Sequence, residues 1–479
     1  MKRIVTLLLA AGLVFGAFGG AHAADIKAKG YWALGFGFTD SLDYYDKDKG
    51  GTGGDTFNAH QRFRTQIDVV ANENLSGVVY FEIGHQDWGT ESGALGADGK
   101  VVKVRRSYID WTVPQTDLKV RMGIQGLALP GATFGSNAIL DDDVAALTLS
   151  YAFNDMVSAT AFWARPYDTG GDKSDATTGK NAFDEVDIFG LAVPVTLDGF
   201  KVTPYAAYAS AGKDVSPAGD NYNGASRGAF LSGMQSISQI AGVADNETNV
   251  FDAWWGGVAF EMSKFDPFSL KADFSYGAKE ADVDASERSG WLLSAKAAYK
   301  LGMVTPGLFA WYGSGEDDDI NNGSERMPSV SPQSWAPTSF GFPGSVYYDD
   351  TNFGLNGAGS WALGLELADI SFIENLSHVF RVAYMKGTND ADLIKKNAGL
   401  ADITNPDTSL TARQGSVFLT NEDSAWEVNF DTTYKIYENL SLVAEMGYIK
   451  LDLDEDTWGT AASDTSDAKK LAFYFIYEF

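Results

Sequence analysis

Four cations stand at alternate positions in two short stretches, Arg62 and Arg64 in Gln61-Arg-Phe-Arg, and Lys119 and Arg121 in Lys119-Val-Arg. In extended chain, alternation puts each pair on one side, with Phe63, Ile67 and Val69, or Leu118, Val120, Met122 and Ile124, on the other. Cations facing water along a narrow passage, with carboxylates opposite, set up a transverse field that orients dipolar solutes and sorts ions. Asp141, Asp142 and Asp143 offer such carboxylates. The plainer alternative is that these groups pair with one another and stiffen a wall. Between the two stretches lies Lys103-Val-Arg-Arg-Ser-Tyr. Ile109, Trp111 and Val113 mark its outer face, so Arg106 faces inward and Arg105 outward unless a bulge reverses the order.

The stretch 126–143 carries Leu127, Leu129, Phe134, Ile139 and Leu140 beside the three aspartates. A loop in free solvent has little reason to hold them, so it is expected to fold inward against the wall and carry the Asp triplet to the constriction.

Such residues need extended elements to position them, and strand patterns recur along the chain. In the last segment Leu471, Phe473, Phe475, Tyr477 and Phe479 share one face in strict alternation, opposite Ala472, Tyr474, Ile476 and Glu478. An aromatic-rich face ending on the terminal residue suits a lipid-facing strand. Short turns at 72–75, 114–117, 153–156, 196–199, 263–267, 300–302, 369–377 and 437–439 alternate with longer Gly/Asp/Asn/Ser stretches near 40–56, 89–99, 126–143, 168–182, 211–249, 280–287, 315–358, 388–423 and 452–466. That spacing gives about 18 strands, or 16 if one hairpin is misread. The fold class is all-β: a transmembrane, antiparallel, up-and-down β-barrel with short turns at one rim and long loops at the other.

The N-terminus agrees. Lys2 and Arg3, an apolar run from Ile4 to Phe18 and Ala21-His22-Ala23 make residues 1–23 a secretory signal peptide cleaved after Ala23. Residues 24–479 then form a single barrel, whose first strand begins near Ile26 with no plug domain before it. Nothing after residue 23 is apolar for long enough to span a bilayer as a helix, so an integral membrane protein must be a closed barrel. Composition fits, with 52 Gly, 30 Phe, 21 Tyr and 12 Trp against 13 Pro. The absence of Cys excludes disulfides and thiolate chemistry. Net charge is −28, which opposes nucleic-acid binding.

Taken together, the signal peptide, the opening strand Lys27-Ala-Lys-Gly-Tyr-Trp-Ala, the Arg-bearing second strand and the terminal Phe-Tyr-Phe-Ile-Tyr-Glu-Phe resemble the bacterial outer-membrane porin superfamily over the whole chain. The closest resemblance is to the homotrimeric outer-membrane porins of sulfate-reducing bacteria. It implies export to the outer membrane of a Gram-negative bacterium and a homotrimer of barrels. Each barrel would be a water-filled channel for passive diffusion of small hydrophilic solutes and ions, narrowed by its third external loop. The basic wall would be Arg62, Arg64, Arg106, Lys119 and Arg121, and the acidic loop Asp141, Asp142 and Asp143. Leu471, Phe473, Phe475, Tyr477 and Phe479 resemble the signal read by the barrel assembly machinery. Outer-membrane lipid and surface lipopolysaccharide would be the surrounding partners.

Two other functions stay open at this point: a structural or adhesive surface barrel without an open pore, and an outer-membrane hydrolase. The second finds little support, because His60, His85 and His378 stand in no HExxH or Ser/Asp motif. No cofactor is expected. Acidic runs at Glu316-Asp-Asp-Asp, Asp349-Asp350 and Asp452-Leu-Asp-Glu-Asp lie in the long loops and lack a complete EF-hand pattern. Asp317, Asp318 and Asp319 are the candidates there for calcium.

Overall fold

A computed structural model describes residues 24–479 except 45, 47, 49–54, 91–93, 97–101, 169–184, 213–232, 242–250, 346–352, 398–399 and 401–416. The expected signal peptide, Asp349, Asp350 and much of the loops predicted at 168–182 and 211–249 lie outside the described residues.

Eighteen strands, β1 to β18, form one closed antiparallel barrel. In order they are Asp25–Asp40, Thr56–Asn72, Leu75–Asp87, Val102–Thr112, Leu118–Ala128 and Leu140–Ala152. β7 is Ser158–Asp168, and β8 runs as Glu185–Ala192 and Val195–Leu197, broken at Pro194, which has no N–H to give the ladder. The series continues with Phe200–Ala211, Phe251–Met262, Phe268–Ala281, Arg288–Tyr299 and Thr305–Gly313. It ends with Ser360–Ile373, Leu376–Gly387, Ser424–Tyr437, Leu440–Asp452 and Ala468–Glu478. Every neighbour in sequence is a neighbour in the sheet, and β1 pairs with β18 from Tyr31↔Glu478 to Asp40↔Lys469, which closes the ring.

Closure satisfies the backbone groups that an open edge would leave bare in lipid. The side chains follow with period two. Trp32, Trp111, Trp163, Phe189, Trp254, Leu308, Leu363, Trp426, Met446 and Tyr477 are all exposed on the outside, forming an apolar band around the barrel. Ala33, Ala164, Ala209, Ala253, Ala383, Ala425 and Ala472 are buried on the inside.

The alternation of connections is as expected from sequence, with one difference of detail. The turn predicted at 369–377 is only Glu374 and Asn375, because β14 continues to Ile373 and Asn375 accepts the left-handed conformation (φ 63°) that a two-residue turn requires.

At the seam, Phe479 exchanges two 3.0 Å backbone hydrogen bonds with Gly30. Its ring lies 5.2 Å from Trp32 and 6.2 Å from Phe63. Phe475, Tyr477 and Phe479 are exposed on the outer face, whereas Ala472 and Tyr474 are fully buried on the inner one.

Candidate functional site: the charged barrel interior

Strand register carries the cations of β2 to the inner face. Arg62 lies opposite Ala33 and Arg64 opposite Tyr31, while Phe63 lies opposite the outward Trp32. Arg121 of β5 is paired in register with Asp110 of β4. Its guanidinium donates to both carboxylate oxygens of Asp110 at 2.6 and 2.9 Å and stacks 4.3 Å over the Tyr108 ring. Lys119 is exposed two residues away on the same face.

Alternation alone misplaces the next group. A bulge between Tyr80 and Phe81 leaves Arg105 as the extra residue of β4, so it does not turn outward as simple alternation requires. Arg105 donates to Glu82 at 3.3 Å and to Asp143 at 2.7 Å, Arg106 donates to Asp143 at 2.6 Å, and Arg64 donates to Glu82 at 2.6 Å. The result is an unbroken chain of ion pairs, Arg64–Glu82–Arg105–Asp143–Arg106, across four strands. Glu82 carried no sequence signal beyond inward parity, which is why only the register finds it.

The Asp triplet also differs from expectation. It opens β6 and does not ride on the loop, whose free part is 129–139. Asp143 meets its arginine partners across one intervening strand: it is paired with Gly126 of β5, and Arg106 of β4 passes over that glycine, where a Cβ would come within 2.7 Å of its guanidinium, so Asp143 does not face the arginines across the bore. The Asp142 carboxylate accepts from Ser331 Oγ at 2.7 Å, and the backbone carbonyl of Asp141 accepts from the backbone N–H of Gln333 at 3.3 Å.

Residues 129–139 (the third long loop, L3) cross the interior. Ala132 and Thr133 donate their backbone N–H groups to Asp273 of β11 at 2.8 and 2.7 Å, and Asn137 donates to Tyr205 of β9 at 3.0 Å. Phe134 meets Phe309 and Trp311 of β13 edge-on at 5.8 and 6.0 Å. Leu127, Leu129, Phe134, Ile139 and Leu140 are all buried.

A second loop enters beside it. Residues 314–359 (the seventh long loop, L7), read from sequence as external, send Met327 to Phe342 into the barrel, with Met327, Val330, Trp335, Phe340 and Phe342 buried. Ser331 and Pro332 pair in parallel with Leu140 and Asp141 at the base of L3. A signal was present: Met327-Pro-Ser-Val-Ser-Pro-Gln-Ser-Trp-Ala-Pro-Thr-Ser-Phe-Gly-Phe has no charge and five large apolar groups, against three in 129–139. The flanking acidic run masked it.

Water therefore has unequal access to the two sides. Side-chain exposure is 39% at Arg121, 38% at Asp110 and 37% at Arg106, but 0% at Lys470, 2% at Glu445 and 8% at Glu366. The interior is most open at Arg106, Asp110 and Arg121 on β4 and β5, closed at Arg62 and Glu82 on β2 and β3, which are 7% and 8% exposed, and filled at Lys470 and Glu445 on β17 and β18. Along β1–β5 and the start of β6, Lys29, Arg62, Arg64, Lys103, Arg105, Arg106, Lys119 and Arg121 outnumber the carboxylates Asp68, Glu82, Asp110 and Asp143.

The calcium candidates are each engaged locally. Asp317 accepts from the Asp319 N–H at 2.8 Å and from Asn322 at 2.8 Å, Asp318 pairs with Lys396, and Asp319 accepts from the Asn321 N–H at 2.9 Å. Among the described residues no group of three His, Cys, Asp or Glu is gathered to hold a metal. Of the histidine side chains among the described residues, His378 is bonded to Thr432 at 2.8 Å, and His60 lies 3.7 Å from Asp87.

In the same rim, burial pushes the carboxyl of Glu325 up to about 7, reinforced by the nearby Glu316 and Asp317 charges and opposed by the hydrogen bond from the Asp317 N–H. A carboxyl that holds its proton more tightly in the ordered loop than its usual 4.5 destabilises that loop as pH rises between the two values. Hydrogen exchange of residues 316–326, corrected for intrinsic rates, is expected to speed up from pH 4.5 to pH 7.5 in wild type. The Glu325→Gln variant is expected to show no such step; an identical pH profile in both would reject the assignment.

Neither a family model nor a curated protein matches the sequence. Solved structures match the fold over nearly its whole length. OccAB3 of Acinetobacter baumannii aligns with a TM-score of 0.53 at 11% identity, over 95% of this chain and 100% of that one. OccK5 (OpdH) of Pseudomonas aeruginosa aligns at 0.51 and 13% identity, over 95% and 98%. OpdQ of Pseudomonas aeruginosa aligns at 0.50 and 13%, over 95% and 98%. At 11–13% identity the likeness is one of fold, a porin-like closed β-barrel.

Proposed function

We propose that this chain, once its signal peptide is removed, is a non-enzymatic outer-membrane porin of a Gram-negative bacterium. Its channel passes small hydrophilic solutes and ions by passive diffusion. The carrying observation is the net-basic inner wall of β1–β5, open to water at Arg106, Lys119 and Arg121, inside a closed barrel whose outer face is apolar. Cations held there by register, with low-dielectric walls around them, raise the local concentration of anions and of solutes with a negative end. Arg62, Arg64, Arg106, Lys119 and Arg121 are the basic side of the constriction, Asp143 pairs with Arg105 and Arg106 within it, and Asp142 holds L7 beside it through Ser331. Assembly as a homotrimer, surrounded by lipid and surface lipopolysaccharide, follows the resemblance to the porins of sulfate-reducing bacteria and is part of the same proposal.

The test is electrical. Wild-type protein in planar bilayers is expected to open in multiples of three equal steps. Replacing Arg62, Arg64 and Arg121 together with Gln is expected to move the reversal potential in a tenfold salt gradient toward the cation limit by about 10 mV or more, the order expected from removing three lumenal charges. Unchanged conductance and reversal potential would reject the basic wall as the constriction. One observation favours a second reading. The dense packing of L3 and L7 across the bore suits a structural barrel without an open pore, and electrical silence of well-folded wild-type protein would support that reading instead.

A further inference from the structure

The seventh loop is held by two attachments of opposite chemistry. Toward β13 it is bound by apolar contact: Trp335 lies 5.1 Å from Phe134 and 5.5 Å from Trp311, and Phe342 lies 5.2 Å from Trp311. Toward β16–β18 the stretch 338–345 is bound by polar groups at Thr338, Ser339, Gly341 and Ser345. Glu427 accepts from the Gly341 N–H at 3.0 Å and from Thr338 Oγ at 2.9 Å. Ser339 donates its hydroxyl to Asp431 at 2.9 Å, and its carbonyl accepts from Lys470 Nζ at 2.6 Å. Ser345 donates to Glu445 at 2.6 Å, and Glu445 is in turn 2.9 Å from Lys470.

One apolar side chain sits inside this clasp. Phe340 is fully buried on the bare backbone of Gly447, where an added Cβ would come within 2.6 Å of the ring. Lys470 Nζ lies 5.4 Å from the same ring.

A wall built for permanent cover would be apolar, as it is at Phe309 and Trp311. The wall behind residues 338–345 is instead Glu427, Asn429, Asp431, Glu445 and Lys470, the composition of a lumen surface that water can wet. Hydrogen bonds between loop and wall exchange for bonds to water at small net cost, whereas the Trp335 side has no such substitute. The two ends of L7 therefore differ in how readily they let go.

We propose that residues 338–341, between the aromatic anchors Trp335 and Phe342, are a displaceable partition inside the barrel, and that Phe340, Glu427 and Lys470 set the largest solute the channel passes. The proposal rests on the channel reading above and assigns its size limit to named residues. Displacement of the stretch adds the space it fills to the bore beside the open groups Arg106, Asp110 and Arg121, which widens the bore without altering the basic wall.

The absence of cysteine makes the test clean, because one introduced thiol reports alone. In a Ser339→Cys chain, labelling by a small water-soluble maleimide is expected to be slow. Adding Glu427→Gln and Lys470→Met is expected to speed it at least tenfold. The same two substitutions without the thiol are expected to raise single-channel conductance at least twofold and to admit larger uncharged sugars in liposome swelling. Heat-modifiable electrophoretic migration verifies that each barrel is folded. Phe340→Ala keeps every polar bond of the clasp and carries the same conductance and swelling readouts if the double variant does not fold. Conducting, folded variants with wild-type conductance, sugar limit and labelling rate would overturn the partition. A silent wild-type channel would instead overturn the channel reading itself.

Discussion

Deletion of Phe479 is expected to lower the yield of folded barrel at least tenfold. The residue closes the sheet. Its two backbone hydrogen bonds to Gly30 and its ring contacts with Trp32, Phe63 and Tyr477 tie the last strand to the first and second. At about 1 kcal/mol for each hydrogen bond and about 0.5–1.5 kcal/mol for each aromatic pair, the seam loses several kcal/mol, and tenfold corresponds to only about 1.4 kcal/mol. Opening the seam also bares N–H and C=O groups to hydrocarbon, which lipid cannot repair. The measurement is the fraction showing heat-modifiable migration after refolding into vesicles, with Phe479→Tyr as the conservative control. In cells, a deletion defect much larger than the one in vesicles would point to Leu471, Phe473, Phe475, Tyr477 and Phe479 being read by the assembly machinery. Equal defects would leave only the mechanical role, and a deletion chain that folds normally in both settings would reject the seam as critical.

Glu366→Ala is expected to destabilise the barrel by about 3 kcal/mol, the lower end of what removing one partner from a buried ion pair costs. Glu366 of β14 is buried between Lys296 of β12, at 2.8 Å, and Arg381 of β15, also at 2.8 Å. Without it, Arg381 retains Asp431 at 2.8 Å, but Lys296 loses the only carboxylate within salt-bridge distance among the described residues. Desolvation of that ammonium is then uncompensated. Denaturant unfolding in lipid vesicles gives the number. Glu366→Gln, which keeps shape and accepting oxygen, is expected to fall between wild type and alanine; a loss below about 1 kcal/mol for alanine would show that water reaches this wall after all.

Both predictions draw on contacts far apart in the chain, and that is the dividing line between what sequence and structure each determined. The sequence by itself determined the barrel: side chains alternate with period two, and that period is a property of each strand alone. Turn residues such as those at 72–75 or 437–439 fix short connections locally, so the 18 strands, the outward face of Phe475, Tyr477 and Phe479, and the inward face of Arg62, Arg64 and Arg121 were all legible. Arg105 was not, since a bulge adds one residue to one strand and reverses parity without any mark in composition. Which carboxylate each arginine meets depended on register between strands, and so Glu82 and Asp110 emerged only in three dimensions. The interior fill was decided entirely by tertiary structure. L3 showed its inward course by leucine and phenylalanine in a loop, but L7 enters because Trp335 and Phe342 pack on Phe134 and Trp311, distant in sequence, while Glu427, Asn429 and Lys470, about a hundred residues further on, offer partners to its backbone. Such a match between a loop and a distant wall has no local periodicity, and a chain read residue by residue cannot display it.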